Sequence, residues 1–458
     1  MKQFKLSACL NLKLPAIVSF IGGGGKTTLM RLLAEELTSA GHRVLLTTTT
    51  KIYPYPGLRH FYNRDYNNLT IALKSHFAEN KIAVAGTCLN DEGKVCGLDK
   101  AKIYSLVQEL NISVLVEADG AKGKSLKGYR ENEPLIPAES DYLMVVAGLD
   151  ALGLKVSGHK IHRIKLFREF IGPLASKHER ITPSIIAAAL EQMTSLGLIQ
   201  APPARVTYLL NKYDKLREPQ SLIEIANALP SASAATQLLS TSTLSSGPVK
   251  FIVEHNKMGV KIKVGCVILA SGTASRMGQD KLALPFGRRT VLEATVENII
   301  TSGIEEIILV VQPGSRWPEI FKNNKVRIIE NPDYSMGQSR SLIKGLEQIS
   351  PLNQGAMFAL GDQPLIKSST YASLAEAYSK NLKAATYPVY GEKRGNPVIF
   401  DRLQWPLLSK LTGDQGGRTL LKNLSSFDQD RVRVDDQGVL YDLDTPEDYQ
   451  KLVDKSLT

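Results

Sequence analysis

The sequence predicts an α/β protein built of two nucleotide-binding domains, and three observations predict it. Short apolar runs alternate with amphipathic stretches along the whole chain, the pattern of buried strands separated by helices. Two glycine-rich segments, SFIGGGGKTTL near the start and LASGTASRMG past the midpoint, each follow a first apolar run. The length, 458 residues, exceeds what one ordinary core holds.

Taken in order, residues 17–21 read as a strand, 28–40 as a helix and 44–48 as the next strand. Further buried strands are expected at 82–85, 114–118, 142–147 and 206–210, with a hairpin turn at 90–94. The Ser/Ala/Thr-rich stretch 230–247 has linker composition, but 248–254 still reads as a strand. The boundary is therefore placed near 256–261, giving domains 1–257 and 258–458. The pattern restarts at Val264 with VGCVILASGTASRMG. The two glycine loops differ in sequence, so the halves are not an internal repeat.

Composition narrows the function classes. Apolar residues make up 43% and charged residues 22%, ordinary values for a globular chain. No apolar run reaches the roughly 18 residues that span a bilayer, and residues 1–15 lack a signal-peptide core. Cys9, Cys88, Cys96 and Cys266 fit no zinc or CxxC spacing, so a reducing, cytoplasmic location is expected. The net charge of +11 is spread without a dense basic block or interleaved aromatics. Phosphate-bearing small molecules explain that bias better than nucleic acid does, and no membrane partner is expected.

The first glycine segment supplies Gly22, Gly23, Gly24, Gly25, Lys26, Thr27 and Thr28. Glycines let backbone N–H groups approach one anion, and the following helix adds its positive end. Lys26 is placed on the β/γ-phosphates of ATP or GTP, and the Thr27 hydroxyl on Mg²⁺. The strict P-loop spacing wants glycine where Phe20 stands. In VEADGAKGKSLKG, Glu117 and Asp119 end a buried strand, where a carboxylate holds Mg²⁺ or orients water. Lys122, Lys124 and Lys127 read equally well as an anion-binding loop or as solvated lysines. Asn211, Lys212 and Asp214, in NKYD after a late strand, resemble a guanine-reading motif; a structural turn is the alternative.

Residues 15–215 resemble the YqeC-like accessory family associated with selenium-dependent molybdenum hydroxylases. The resemblance rests on IGGGGKTTL, LLTTTTK, VEADGAKGKSLK, ENEPLIP and IHR. It implies a P-loop NTPase-like fold and a role in maturing such hydroxylases, with an apo-hydroxylase as partner.

The second half carries LASGTASRMGQDKLALP, a strand followed by a glycine loop with Arg276 and Lys281. Leu269, Ala270, Gly272 and Gly278 would wrap a nucleoside triphosphate. Arg276 forks onto phosphate oxygens, and Lys281 meets the charge that builds on the α-phosphate. Asp362 ends the strand expected at 356–360, a natural Mg²⁺ position, and Asp442 and Asp444 follow in YDLDTPEDY. Ser339 and Ser341, ahead of a helix, suit base or ribose contacts.

This constellation, across 262–455, resembles the molybdenum cofactor cytidylyltransferases and, more broadly, the MobA-like nucleotidyltransferases of Rossmann-like fold. The resemblance implies CTP and Mo-molybdopterin as substrates, Mg²⁺ as cofactor, and Arg276, Lys281 and Asp362 as catalytic residues. GDQP at 361–364 is the cytidylyl form, and Asp442 and Asp444 stand where guanylyl relatives carry asparagines. Ala270-Ser271 matches neither the Ala-Gly of guanylyl relatives nor the Ala-Ala of cytidylyl ones, and Asn396 replaces a frequent His. Two rivals stay open: a transferase of another nucleotide or acceptor, and a nucleotide-switched chaperone that holds cofactor for an apo-hydroxylase.

Overall fold

The computed structural model describes residues 4–230, 234–243, 247–256, 259–272, 280–322 and 325–456. They form two compact units, Phe4–Lys261 and Ile262–Thr458.

In the first unit the central strand β1 (Ile17–Gly22) is buried at all six residues, as a run apolar on both faces must be. β2 (Val44–Thr48), β3 (His60–Tyr62), β4 (Ile82–Gly86), β5 (Ser113–Glu117), β6 (Tyr142–Gly148), β7 (Arg205–Asn211) and β8 (Ala235–Thr241) complete a parallel sheet with it. Two antiparallel strands, β9 (Val249–Asn256) and β10 (Gly259–Lys261), close one edge. The order is β10-β9-β8-β7-β6-β1-β5-β2-β4-β3. β10 extends this sheet past residue 257, so the compact units divide after Lys261. Its three residues, GVK, carry no apolar run that a sequence reading could find.

The helix after β1 spans Lys26–Ser39 and buries Leu29, Met30, Leu33, Ala34 and Leu37 along one stripe. It starts two residues earlier than the expected 28, so Lys26 and Thr27 lie in its first turn. Phe20, at the position where strict P-loop spacing wants glycine, is a buried strand residue paired with Glu117 and Met144. The chain turns only at Gly22, whose φ is 98° and where a Cβ would lie 2.1 Å from the Val146 carbonyl oxygen. The loop is therefore tighter than the standard spacing allows.

The second unit centres on β11 (Val264–Ala270), paired in parallel with β12 (Glu306–Val311) and β14 (Gly355–Leu360). β13 (Val326–Glu330) extends one side. On the other, β17 (Val398–Asp401) runs antiparallel between β14 and β15 (Ala385–Tyr390); β16 (Lys393–Arg394) and β18 (Gln429–Arg433) flank β15. Cys266, Ile268, Leu309, Met357 and Ile399 fill the core with Leu292, Val296 and Ile299 of the helix Val291–Thr301. A capping box at Thr290 and Glu293 starts that helix. Both first strands point their carboxyl ends at a glycine loop, the edge where ligands of such sheets bind. No helix among the described residues is long and apolar enough to cross a membrane.

Candidate functional site

In the first unit, Gly22 to Gly25 pass from the end of β1 into the helix. At Gly24, where φ is 88°, a Cβ would lie 2.4 Å from the Gly148 nitrogen, so only glycine lets the loop pack there. Lys26 folds back: its Nζ donates to the Gly22 carbonyl at 2.6 Å and stands 2.9 Å from Asp119 Oδ1 and 3.7 Å from Glu117 Oε1. The Thr27 hydroxyl donates to Glu117 Oε2 at 2.7 Å. Thr28 is exposed on the same turn. The ends of β1 and β5 thus bring Lys26, Thr27, Glu117 and Asp119 together.

Charge is balanced by a second lysine. Asp119, fully buried, accepts from the Gly22 N–H at 2.9 Å and the Tyr129 hydroxyl at 2.5 Å, and stands 3.3 Å from Lys127 Nζ. Lys127, itself buried, also donates to the Gly120 carbonyl at 2.9 Å and Glu133 at 3.0 Å. Arg163 grips Glu133 with two bonds, 2.5 and 2.9 Å. Burial works against the Asp119 carboxylate, but Lys26 and then Lys127 hold its pKa below the ordinary value. Burial likewise works against the Lys26 ammonium, and Asp119 and Glu117 more than offset it, so its pKa is raised. Glu117, farther from Lys26, is dominated by burial and its pKa rises.

Lys122, Lys124 and Lys127 do not converge into an anion-binding loop. Lys127 is spent on Asp119 and Glu133, and Lys124 donates to the His159 carbonyl at 2.8 Å. The NKYD segment does approach the glycine loop. Asn211 Nδ2 donates to the Gly24 carbonyl at 2.8 Å and its Oδ1 accepts from Thr241. Lys212 lies 3.1 Å from both Asp150 oxygens, and Asp214 accepts from Ser242 at 2.9 Å.

In the second unit, Arg276 and Gly278 lie outside the described residues. Leu269 and Ala270 end β11; the Leu269 carbonyl accepts from the Gly361 N–H at 3.0 Å. Gly272 is exposed, with its backbone carbonyl accepting from Gln312 at 3.0 Å. Lys281 Nζ donates to Asp362 at 2.6 Å, to the Leu443 carbonyl at 2.7 Å and to Asp444 at 3.1 Å. Burial works against the Lys281 ammonium, but Asp362 and then Asp444 together more than offset it, so its pKa is raised. Asp442 accepts instead from Gln363 at 2.5 Å; burial and then the nearby Asp362 charge raise its pKa.

Ser339 and Ser341 lie inside the helix Gln338–Gln348 rather than ahead of it. Ser341 Oγ is 2.5 Å from Ser271 Oγ and accepts from Asn331 at 3.0 Å. Ser339 is buried, and its hydroxyl has no partner among the described residues. An unmatched buried hydroxyl, on the helix whose Ser341 reaches Ser271, is a polar group available to a ligand.

Among the described residues no three His, Cys, Asp or Glu side chains gather closely enough to hold a metal by themselves. The expected set Asp362, Asp442 and Asp444 is thus not a three-carboxylate cage. Lys281 takes up Asp362 and Asp444 together, which removes the repulsion that clustered carboxylates would otherwise carry.

Residues 18–165 match the YqeC protein family and residues 266–431 the MobA-like NTP transferase domain. The chain therefore joins a YqeC segment to a MobA-like nucleotidyltransferase domain. The uncharacterised protein YqeC of Escherichia coli is 37% identical over 167 residues, 35% of this chain and 62% of that protein. The match thus spans less than two thirds of that relative. The molybdenum cofactor cytidylyltransferase of E. coli is 24% identical over 41% of this chain and 93% of its own length. Among solved structures, Rv0371c of Mycobacterium tuberculosis aligns with a TM-score of 0.38 and 24% identity, over 42% of this chain and 98% of its own.

Within the YqeC segment, sequence reasoning missed Tyr129, Lys127, Glu133 and Arg163 as one network. Glu133 and Arg163 stand in ENEPLIP and IHR, which carried the resemblance without a role. Within the MobA-like domain it missed Gln312 and Asn331, and it gave Gln363, inside GDQP, no contact of its own.

Proposed function

We propose that the MobA-like domain transfers CMP from CTP to Mo-molybdopterin with release of pyrophosphate. We further propose that the YqeC segment binds ATP or GTP and assists maturation of a molybdenum hydroxylase, selenium-dependent enzymes included. The observation that carries the first reading is Lys281, held by Asp362 and Asp444 at the carboxyl edge of β11 and β14. The name and full-length match of the E. coli cytidylyltransferase, GDQP and Asp442 support CTP as the donor.

The acceptor's terminal phosphate oxygen attacks the α-phosphorus of CTP in line, and the bond to the β-phosphate breaks to release pyrophosphate. Little covalent work falls to the protein; position and charge carry the rate. Lys281 exchanges a carboxylate partner for the α-phosphate as charge builds there. Asp362, with Asp442 or Asp444, and the departing phosphates make a donor set of few carboxylates that fits Mg²⁺. When bound, that ion neutralises the triphosphate. Arg276 is assigned to the leaving pyrophosphate, and Ser339 and Ser341 to base or ribose. In the YqeC segment Thr27 and Glu117 form the corresponding hydroxyl–carboxylate pair for Mg²⁺, with Asp119 beside it.

One observation favours a second reading of the base. Ser271 spends its hydroxyl on Ser341, where a cytidylyl relative has alanine, so a different nucleotide is the competing donor. Pyrophosphate release measured with molybdopterin and each of the four NTPs separates them. CTP turnover at least about tenfold above the others is expected; equal or greater turnover with GTP contradicts the cytidylyl assignment.

A further inference from the structure

A cavity of about 600 Å³ opens in the second unit between the β15–β16 hairpin, β18 and the helix Gly417–Asn423. Its size suits a small organic molecule. Four cations line it: Arg394, Lys422, Arg431 and Arg433. None of the four is within 4.0 Å of a carboxylate among the described residues, although Glu392 also lines the wall. The apolar wall is Tyr387 with Val389 and Leu421; the buried Tyr387 accepts a bond on its hydroxyl from Arg431 Nε at 3.2 Å, and its ring carries the Arg394 guanidinium 5.8 Å from the centroid.

Four like charges gathered on one hollow repel one another, and that cost is offset where an anion binds. Arg394 shows the strain: burial, and then the neighbouring Arg418 charge, hold its pKa below the ordinary guanidinium value. Arg418 also acts on Asp442, where its positive charge opposes the rise in that carboxyl's pKa. It stands at the first turn of the helix whose next turn carries Lys422, so i and i+4 share a face. On the other side, the Asn396 N–H donates to the Val439 carbonyl at 3.1 Å, tying the hairpin to the segment that leads into Asp442 and Leu443. A line of positive charge therefore runs from the carboxylates of the reaction centre through Arg418 into the hollow.

We propose that this hollow is a second oxyanion site, which holds an anionic group at the end of the acceptor remote from its reacting phosphate, with Tyr387 beneath it. This rests on the acceptor reading of the same domain. It requires an acceptor with two separated anionic ends, joined by a body long enough to reach from Asp442 past Arg418. Guanidinium groups suit such recognition because they fork onto paired oxygens. Inorganic phosphate and molybdate share the required chemistry, and an independent small anion is the other source of it.

The test uses the full chain and the double variant R394Q/R433Q, with R394K/R433K as the charge-preserving control. Molybdate and inorganic phosphate are titrated calorimetrically at fixed ionic strength, and the KM for molybdopterin and for CTP is measured in parallel. The expected result is at least tenfold weaker oxyanion binding in R394Q/R433Q, a matching rise in the molybdopterin KM, an unchanged CTP KM and partial recovery in the lysine variant. Unchanged oxyanion binding overturns the site. Weaker oxyanion binding with an unchanged molybdopterin KM overturns the acceptor assignment and leaves a separate anion as the source. A parallel rise in the CTP KM overturns it too, since the cations then serve the nucleotide. So does a steeply salt-dependent grip on a single-stranded RNA oligomer that the variant abolishes. If the wild-type chain turns over no CTP at all while the variant still loses oxyanion binding, the cytidylyl reading fails and the anion site stands.

Discussion

Lys26 and Lys281 each end a glycine loop and each meet two carboxylates, yet the two sites are built oppositely. The Lys26 side chain is 3% exposed and its partner Asp119 not at all. The Lys281 side chain is 22% exposed, and its partners Asp362 and Asp444 are 12% and 49% exposed. At the first site a further lysine, Lys127, completes the balance out of water, and Arg163 and Glu133 flank it at the half-buried rim. At the second the balance is open to solvent on the Asp444 side. A buried, fully paired set resists change, because breaking one member strands the others. An exposed set exchanges partners cheaply. The first architecture suits a site that changes state only when ligand binds; the second suits repeated turnover.

The sharpest way to break this comparison is to remove one lysine from each set. Lys127→Met takes from the fully buried Asp119 one of its two lysines, leaving Glu133 to Arg163, and should cost about 3–5 kcal/mol of the first unit's stability. Lys281→Met should cost less, about 1–2 kcal/mol of the second's, because Asp444 is half-exposed although Asp362 is buried. Urea unfolding of both variants, followed by probes in each unit, measures this. Equal losses would show that burial does not distinguish the two sites.

Activity should divide the other way. Asp362→Asn keeps the shape and removes the anion, so transfer should fall by at least about a hundredfold and require more Mg²⁺. Its melting temperature should shift little. Asp444→Asn should act in the same direction but less, since Asp444 is the more exposed partner.

Much of this contrast was hidden in the sequence. The strands were legible because runs such as IVSFIG and LMVVAG are apolar at all or all but one position, with no polar–apolar alternation, as in a doubly covered sheet. The glycine loops were legible because four successive glycines before Lys-Thr-Thr serve few purposes but close backbone approach. The charge network was not. In sequence a buried Lys127 looks like a solvated one, and its neighbours Lys122 and Lys124 are indeed unlike it. What buries Lys127 is Glu133 held by Arg163, thirty residues on, a pairing no periodicity encodes. The strand Gly259–Lys261 escaped for a simpler reason: an edge strand of three residues needs no apolar pattern. In the second unit the glycine-loop spacing and the strand end pointed to Lys281 and Asp362, but the fact that they meet at 2.6 Å came only from the fold.

A smaller effect sharpens the view of the first site's base. Asp214 accepts from Ser242 and lies in the turn Tyr213–Lys215, just after the strand end that holds Asn211 against the glycine loop. If it reads guanine, Asp214→Ala should remove a GTP preference worth about 1.5–3 kcal/mol. Competition between ATP and GTP for the full chain, with CTP saturating the other site, reports it. Equal affinities unchanged by the substitution would make NKYD a structural turn.

The smallest expected effect is in pH. Burial, and then the Arg163, Lys127 and Lys122 charges, lower the His162 pKa to about 4. The unfolded imidazole, near its ordinary value of about 6.5, then binds a proton that the folded one refuses. Stability of the first unit should therefore fall slightly as pH drops from about 6.5 towards about 4. Asp442 has the opposite sign. Its raised pKa makes the second unit lose stability as pH rises from the usual carboxylate value to the raised one. Melting temperatures of wild type and His162→Gln across that range check the first sign; an identical slope in both would remove His162 as the cause.

The most direct test of two separate phosphate sites is the rate of CMP transfer to molybdopterin against Mg²⁺ concentration, for wild type, Lys26→Ala and Asp362→Asn. The account predicts one curve for wild type and Lys26→Ala. For Asp362→Asn it predicts a rate at least about a hundredfold lower, with a higher Mg²⁺ midpoint. An Asp362→Asn chain that follows the wild-type curve, or a Lys26→Ala chain that falls with it, would contradict it.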